Sequence, residues 1–243
     1  MKILIYADQG VSSESVYNLQ HCFLTFSLSS KLILASDIDK ENWDENIDLF
    51  VMPGGRDVFY HKKLQGNRNN KIKEFVAKGK SYLGICAGAY YASSYVEFDK
   101  SHSLEVLEKR ELSFYPYKTI GPAYGPNSFC YQNHKTARAS LVSINTENLN
   151  TNTYIYHNGG CYFPTIDKNI SVLAKYQDLK DNPAAIIKCN FEKGTVILSA
   201  IHIEYGVDMP FFAYMPASIQ SLLRNSETTR HTLFTEILKK LIN

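Results

Sequence analysis

Residues 84–88, Gly-Ile-Cys-Ala-Gly, place one thiol between two glycines where a strand pattern changes to a helix pattern. This G-x-C-x-G spacing is typical of a nucleophile elbow, a tight turn that holds the reactive side chain clear of bulky neighbours. A helix beginning beside Cys86 favours the thiolate, the form that attacks a carbonyl carbon. The backbone N–H of Ala87 would then face the oxyanion that forms. The same five residues are also consistent with a buried cysteine at an ordinary glycine-rich turn between a strand and a helix.

A candidate base lies near the other end of the chain, where His202 and Glu204 follow the apolar run TVILSAI. Side chains of a strand alternate with a period of two, so a strand through these residues would put both on one face. A carboxylate beside an imidazole orients the ring and stabilises the imidazolium formed when it takes a thiol proton. An isolated H-x-E is also typical of a solvated strand end, but the buried character of the preceding run favours a site.

The third candidate segment is Pro53-Gly54-Gly55, which follows the apolar run DLFVM. Ligand sites in open α/β sheets form beyond the carboxyl ends of the strands. Glycines at such a place can present a backbone N–H with no side chain in the way, which suits a second oxyanion donor. Taken alone, the segment is equally typical of a simple turn.

A sheet is needed to position these segments. The first hundred residues alternate between strand and helix signals, a pattern that predicts a parallel sheet covered on both faces by helices. The predicted strands are Lys2–Tyr6, Lys31–Leu34, Asp48–Met52 and Ser81–Ile85. The predicted helices are Glu14–Phe26 and a second one from an N-cap at Asn70 to a stop at Gly79.

The second half of the chain is less regular. Val96–Phe163 is rich in Tyr, Asn, Ser, Gly and Pro, which predicts short strands and long loops, some of them covering the site. Ala184–Phe191 and Thr195–Glu204 form a predicted β-hairpin that turns at Gly194. A helix with an apolar face follows at the C-terminal end.

Composition restricts the class of protein. The 243 residues suit a single domain, 1–243. Lys and Arg number 26 against 24 Asp and Glu, with no long basic run, so no nucleic-acid partner is expected. No apolar run approaches the length of a signal sequence or membrane span, so we expect a cytoplasmic protein without a membrane partner. Five cysteines without C-x-x-C and seven histidines without H-E-x-x-H predict no disulfide framework, no metal and no cofactor.

The chain order P-G-G, G-x-C-x-G, H-x-E resembles the class I glutamine amidotransferase superfamily. The resemblance implies an α/β fold, a flavodoxin-like three-layer sandwich with a mostly parallel central sheet, a nucleophile elbow and a late β-hairpin. It implies Cys86 as nucleophile and His202 as general base and acid, with Glu204 orienting the histidine. The backbone amides of Gly55 and Ala87 would then be the oxyanion donors.

Within that superfamily the chain is similar to the biotin-protein ligase N-terminal-domain family, through PGGRD, YLGICAGAYYAS and HNGGCYF. The resemblance spans nearly the whole chain, with two departures. Glutaminases of the superfamily usually carry Gln four residues after the nucleophile, where this chain has Tyr90, so glutamine is not the expected substrate. Ligase members join this domain to a biotin-activating domain with a G-R-G-R-type loop, which this sequence lacks, so ligation by this chain alone is not expected.

Three further places are candidates for contact with a small-molecule substrate. The first is the segment that contains Gly54. Beside it, Arg56 and Asp57 would hold a polar end of the substrate, or would pair with each other or with solvent. The run NGG would line the pocket through Asn158 and Gly159, or form a hairpin turn. The third, Tyr90, would offer a pocket hydroxyl or pack in the core.

The sequence therefore predicts a cysteine-dependent amidohydrolase or amidotransferase-like enzyme with a Cys-His-Glu triad, acting on a C–N or acyl bond other than that of glutamine. The alternative is a non-catalytic ligand-binding or regulatory module, with a biotin-metabolism or synthase protein as partner. A redox-sensing thiol at the same turn is a third interpretation. The other cysteines lack an elbow and are expected to be structural: Cys22, Cys130, Cys161 and Cys189.

Overall fold

The computed structural model describes residues 1–131 and 134–242. The strands in these ranges are β1 (Ile3–Tyr6), β2 (Ser30–Ile33), β3 (Leu49–Met52), β4 (Ser81–Ile85), β5 (Ser93–Phe98), β6 (Val106–Lys109), β7 (Tyr115–Gly121), β8 (Arg138–Asn145), β9 (Asn150–His157), β10 (Ile170–Tyr176), β11 (Ala184–Phe191) and β12 (Gly194–Ser199). The helices are α1 (Ser13–Thr25), α2 (Ala35–Ile38), α3 (Asp57–Leu64), α4 (Asn67–Ala77), α5 (Ala87–Tyr91) and α6 (Ala217–Ile242), and a 3₁₀ turn covers Pro210–Tyr214.

One large sheet organises the molecule, with the strand order β2-β1-β3-β4-β12-β11-β10-β8-β9. Neighbours from β2 to β12 are parallel, and those from β12 onward are antiparallel. The predicted α/β fold with a parallel central sheet and a late β-hairpin is confirmed. Because β3, β4 and β12 are adjacent and parallel, the three segments that follow them emerge side by side at one edge of the sheet.

The central strands are apolar throughout because helices cover both faces of the sheet. Every residue of β1, β3 and β4 is buried, as expected for a parallel sheet without a solvent face. On one face the Phe50 and Tyr82 rings stack with centroids 6.2 Å apart, and Trp43 packs against Phe50. Helices α1 and α6 meet through Phe23 and Phe234, whose ring centroids are 5.8 Å apart. The layers form the predicted sandwich.

The middle of the chain forms short strands and loops, as its composition predicts. β5, β6 and β7 make a small separate sheet, whereas β8 and β9 pair along their whole length and extend the large sheet. This hairpin carries the NGG run to the edge of the sheet where β3 and β4 end.

Two boundaries differ from the sequence prediction. β12 ends at Ser199 rather than at Glu204, because its parallel partner β4 stops at Ile85; one further hydrogen bond, from the Ala200 N–H to the Ala185 carbonyl oxygen, follows before the chain turns. α4 begins one turn before the predicted N-cap at Asn70, since Gly66 already accepts from the Asn70 N–H at 3.1 Å. Across the described ranges no helix is both long and apolar enough to cross a bilayer.

Candidate functional site

Cys86 occupies a strained turn between β4 and α5. Its backbone angles are φ 50° and ψ −107°, a region that non-glycine residues rarely adopt. The turn is held because the Cys86 N–H donates to the Ser199 carbonyl oxygen at 2.8 Å and its own carbonyl accepts from the Ala89 and Tyr90 amides. A Cβ on Gly88 would overlap the Met52 carbonyl oxygen, so the glycine of the motif lets α5 pack onto β3. The elbow geometry inferred from the five letters is present.

His202 and Glu204 lie in a turn beyond the end of β12, not on a strand, yet their side chains meet. His202 Nδ1 and Glu204 Oε1 are 2.9 Å apart. The backbone N–H of His202 donates to the Tyr156 carbonyl oxygen at 2.9 Å. The His202 ring and Cys86 lie on either side of Gly54, where a Cβ would be 2.8 Å from His202 Cε1 and 3.5 Å from Cys86 Cβ. With Nδ1 donating to the carboxylate, Nε2 is left to accept a proton. The ring therefore bonds to the predicted acid and lines the same cavity as the predicted nucleophile.

Nearby negative charge outweighs burial in setting the pKa of His202. The ring is 5% exposed and Glu204 is 0% exposed. Burial disfavours the protonated ring, but the charge of the Glu204 carboxylate, the negative charge of a Cys86 thiolate and the hydrogen bond with Glu204 raise the pKa of His202 above its usual value. A ring with a raised pKa is a good acceptor for a thiol proton.

Ser15, on α1, holds the carboxylate in place. Its hydroxyl donates to Glu204 Oε1 at 2.8 Å and accepts from the Gly54 N–H at 3.1 Å. Glu204 Oε2 has no hydrogen-bond partner among the described residues. Sequence reasoning missed Ser15 because a single serine inside a helix carries no motif.

The backbone N–H groups of the two predicted oxyanion donors, Gly55 and Ala87, are available to a ligand. The N–H groups of Gly54, Arg56 and Gly88 all donate hydrogen bonds within the protein. Those of Gly55 and Ala87 donate to no other residue in the described part of the chain. Gly55 has φ 148°, and a Cβ there would lie 2.6 Å from the Tyr60 hydroxyl, so no other residue fits without a shift.

Cys86 and His202 line a cavity of about 490 Å³. This volume suits a small molecule, in keeping with the expected substrate class. Further residues that line the cavity and bear on the argument are Glu14, Gly55, Arg56, Cys130, Tyr131, His134, Tyr156 and Asn158.

The NGG run lies beside the thiol. The Asn158 carbonyl oxygen is 3.7 Å from Cys86 Sγ, and the Asn158 side-chain oxygen accepts from the Thr136 hydroxyl at 3.1 Å. The Tyr90 hydroxyl donates to the Gly159 carbonyl oxygen at 3.0 Å and is buried. Tyr90 thus anchors this run, and its hydroxyl is already bonded within the protein.

Of the remaining candidates, Gly54 lies against the His202 ring and Arg56 lines the cavity, whereas Asp57 lines only a smaller pocket that adjoins Cys86. A Cβ on Gly54 would lie 2.8 Å from Cε1 of His202, so the glycine makes room for the ring. Arg56 lines the cavity, whereas Asp57 is buried and paired with Arg110 at 2.8 Å. The two neighbours therefore do not pair with each other.

The cavity wall also carries a second polar cluster, which the sequence does not predict. His134 Nδ1 lies 2.8 Å from the Tyr156 hydroxyl, and its Nε2 lies 3.3 Å from Glu14 Oε1. The hydrogen bond with Glu14 raises the pKa of His134, and that with His134 lowers the pKa of Glu14. The Tyr156 ring centroid is 5.5 Å from that of His202, so this cluster adjoins the His202–Glu204 pair. Glu14 and His134 are 120 positions apart, and neither belongs to a motif.

Cys86 is buried but lines the cavity, whereas the buried Cys22, Cys161 and Cys189 do not. Burial raises the pKa of the Cys22 thiol to about 11 and of the Cys189 thiol to about 12. Cys130 is half-buried on the cavity wall. Within the described ranges, no group of three or more His, Cys, Asp or Glu is arranged to hold a metal ion.

Comparisons with known proteins agree with this architecture. Residues 1–242 match the family profile described as the N-terminal part of biotin-protein ligase. An uncharacterized protein of Chlamydia muridarum is 32% identical over 259 residues, which cover 99% of this chain and 96% of that protein.

Two further matches bear on the family and on the fold. The biotin–protein ligase of Schizosaccharomyces pombe is 34% identical over 249 residues, and the match covers 99% of this chain but 38% of the ligase. A solved glutamine amidotransferase superposes with a TM-score of 0.62 at 17% identity, over 87% of this chain and 95% of that one, which shows a shared fold. With its profile matched from residue 1 to residue 242, the chain belongs to the biotin-protein ligase N-terminal family, built on a glutamine amidotransferase-like fold.

Proposed function

We propose that this protein is a cysteine-dependent amidohydrolase or amidotransferase-like enzyme that cleaves a C–N or related acyl bond in a small molecule. The observation that carries the proposal is the imidazole of His202, which bonds to the Glu204 carboxylate and lines one cavity together with the Cys86 thiol. A thiol, a base and an orienting acid in that order are the groups that covalent acyl transfer requires.

In the proposed reaction, His202 takes the thiol proton and Cys86 Sγ forms a bond to the carbonyl carbon of the substrate. The resulting oxyanion accepts hydrogen bonds from the Gly55 and Ala87 amides. As the C–N bond breaks, His202 returns the proton to the departing amine and a thioester remains. Water or an acceptor amine then attacks the thioester and regenerates the thiol. Glu204 holds Nδ1 throughout, so that Nε2 exchanges the proton.

Glutamine is not the substrate we propose. Tyr90 stands where glutaminases of this fold usually carry Gln, and its hydroxyl is already bonded to the Gly159 carbonyl oxygen. Biotin–protein ligation is not proposed either, because the chain matches 38% of the ligase relative's length.

The reactive thiol is tested by labelling with a chloroacetamide probe and locating the adduct by mass spectrometry. We expect the probe on Cys86 in the native protein, no adduct on Cys86→Ala, and native-like labelling of Cys130→Ala, which changes a cysteine on the same cavity wall. Equal total labelling of Cys86→Ala and the native protein would rule out Cys86 as the nucleophile.

A second candidate is a regulatory module that binds a small molecule without turning it over and acts with a biotin-metabolism or synthase protein. The ligase relative favours it, since the matched part there is joined to a much longer chain. His202→Ala separates the two proposals. If His202 activates the thiol, this variant slows Cys86 alkylation at neutral pH by about 100-fold; a binding module would react at the same slow rate with or without the ring.

A further inference from the structure

Arg56 puts a positive charge without an acidic partner on the wall of the cavity. The residue is exposed, and in the described ranges no carboxylate lies within ion-pair distance of its guanidinium. Its Cζ lies 4.4 Å from the centroid of the Tyr131 ring and 5.2 Å from that of Phe59. The aromatic rings, rather than an acid, hold this side chain.

The carboxylates nearest in the chain and in the cavity are already paired. Asp57, the next residue, turns into the protein and pairs with Arg110 at 2.8 Å. Glu14, on the cavity wall, pairs with His134 at 3.3 Å. Neither is left to neutralise the guanidinium.

Contact with aromatic rings restricts a guanidinium, and since the group carries five N–H donors, donors remain for a further partner. The N–H edge of the group matches the two oxygens of a carboxylate, and a side chain already held in place loses less freedom on binding. Arg56 follows Gly55 directly, so a group bound at its edge lies in the same cavity as the proposed oxyanion donor.

We propose that Arg56 binds a carboxylate of the substrate, so that the acyl compound attacked by Cys86 carries an anionic group as well as the reacting carbonyl. This inference rests on the proposed function for the reaction and adds the class of molecule on which it acts.

The test compares isosteric pairs of alkylating reagents that differ only in charge: iodoacetate with iodoacetamide, and the longer N-iodoacetylglycine with N-iodoacetylglycinamide. For each pair the ratio of the rates at Cys86, anionic over neutral, is measured at low salt. In Arg56→Gln we expect the ratio to fall about fivefold, because one positive charge leaves the cavity. Arg56→Lys keeps the charge and should retain most of the native ratio.

Lys62→Gln is the matched control, since it removes one exposed positive charge from α3, which follows Arg56, at a residue that does not line the cavity. Its ratio should equal that of the native protein. Unchanged ratios in Arg56→Gln with both pairs, or an equal fall in Lys62→Gln, would overturn the inference while leaving the reactive thiol in place.

If no reagent alkylates Cys86, the proposed function fails, and equilibrium binding then decides the inference alone. N-acetylglycine should raise the melting temperature of the native protein more than N-acetylglycinamide does, and Arg56→Gln should abolish the difference. Equal shifts by the two compounds in the native protein would contradict carboxylate binding by Arg56.

Discussion

Ser15 shows how one residue can connect parts of the site that are far apart in the chain. Its hydroxyl lies between Gly54, 39 positions away, and Glu204, 189 positions away. It joins the loop that carries the proposed oxyanion donor to the acid that orients His202. Because this serine is completely buried, water cannot replace either bond.

Ser15→Ala is expected to lower the free energy of unfolding by about 1–3 kcal/mol, since it leaves a buried amide and a buried carboxylate without this partner. The control is Ser13→Ala, an exposed position of the same helix, where a change within about 0.5 kcal/mol is expected. Urea denaturation of both variants measures the difference. Equal stabilities would mean that another group takes over both hydrogen bonds.

The Glu14–His134 pair should give the protein a pH-dependent stability term. The pKa of His134 is raised from its usual 6.5, so its contribution is complete below that value and is lost as pH rises through the higher folded pKa. The pKa of Glu14 is lowered from its usual 4.5, so its contribution is complete above that value and is lost as pH falls. The pair therefore stabilises most between about pH 4.5 and 6.5.

His134→Gln tests this window. Both side chains are partly exposed, so we expect a loss of only about 0.5 kcal/mol inside the window and less at pH 9. Melting temperatures of native and variant protein across pH 4–9 give the comparison. A difference that grows steadily toward pH 9 would contradict the assigned direction of the His134 pKa shift.

The elements of the parallel half could be predicted from sequence because burial on both faces leaves a clear apolar run. β1, β3 and β4 lie within one residue of their predicted bounds. The end of β12 could not be predicted, since it depends on where the partner strands β4 and β11 end and not on the residues of β12 itself. The side chains of His202 and Glu204 still meet, as the sequence predicts, although they do so in the turn that follows.

The elbow depends on close packing between α5 and β3. Gly88→Ala would press a methyl group onto the Met52 carbonyl, so we expect a loss of about 3 kcal/mol or more in unfolding free energy. Gly125→Ala is the comparison, because a Cβ there meets no atom within 4 Å and costs only the left-handed backbone preference, about 1 kcal/mol. Chemical denaturation compares the two; similar losses would mean that α5 shifts easily.

At the scale of the whole molecule, the site combines the predictable half of the sheet with a half that the sequence did not reveal. The proposed nucleophile, base and acid follow parallel strands, and the rule for strand ends brings them together. Tyr156 lies on β9, Asn158 follows it directly, and His134 lies just before β8. The NGG run predicts that Asn158 lines the pocket, whereas Tyr156 and His134 carry no local motif and only the assembled fold reveals them.

The C-terminal helix also reaches the site. Arg230 of α6 is buried, and its Nη1 donates to the Ile203 carbonyl oxygen at 2.6 Å, between His202 and Glu204 of the turn. Its Nε donates to Glu227 at 2.9 Å, which fixes the guanidinium on the helix. The position of the His202 ring therefore depends on a helix that contributes no group to the chemistry.

Arg230→Met should slow the alkylation of Cys86 per folded molecule, because an unanchored turn lets His202 leave the thiol, and should cost about 3 kcal/mol of stability. Arg224→Met makes the same change at an exposed position of α6, where the guanidinium packs over Phe212, and should leave the rate unchanged. Alkylation is followed by mass spectrometry under conditions where circular dichroism shows each variant folded. If Arg230→Met is less stable but reacts at the native rate, then α6 supports the fold alone and the turn holds its shape without it.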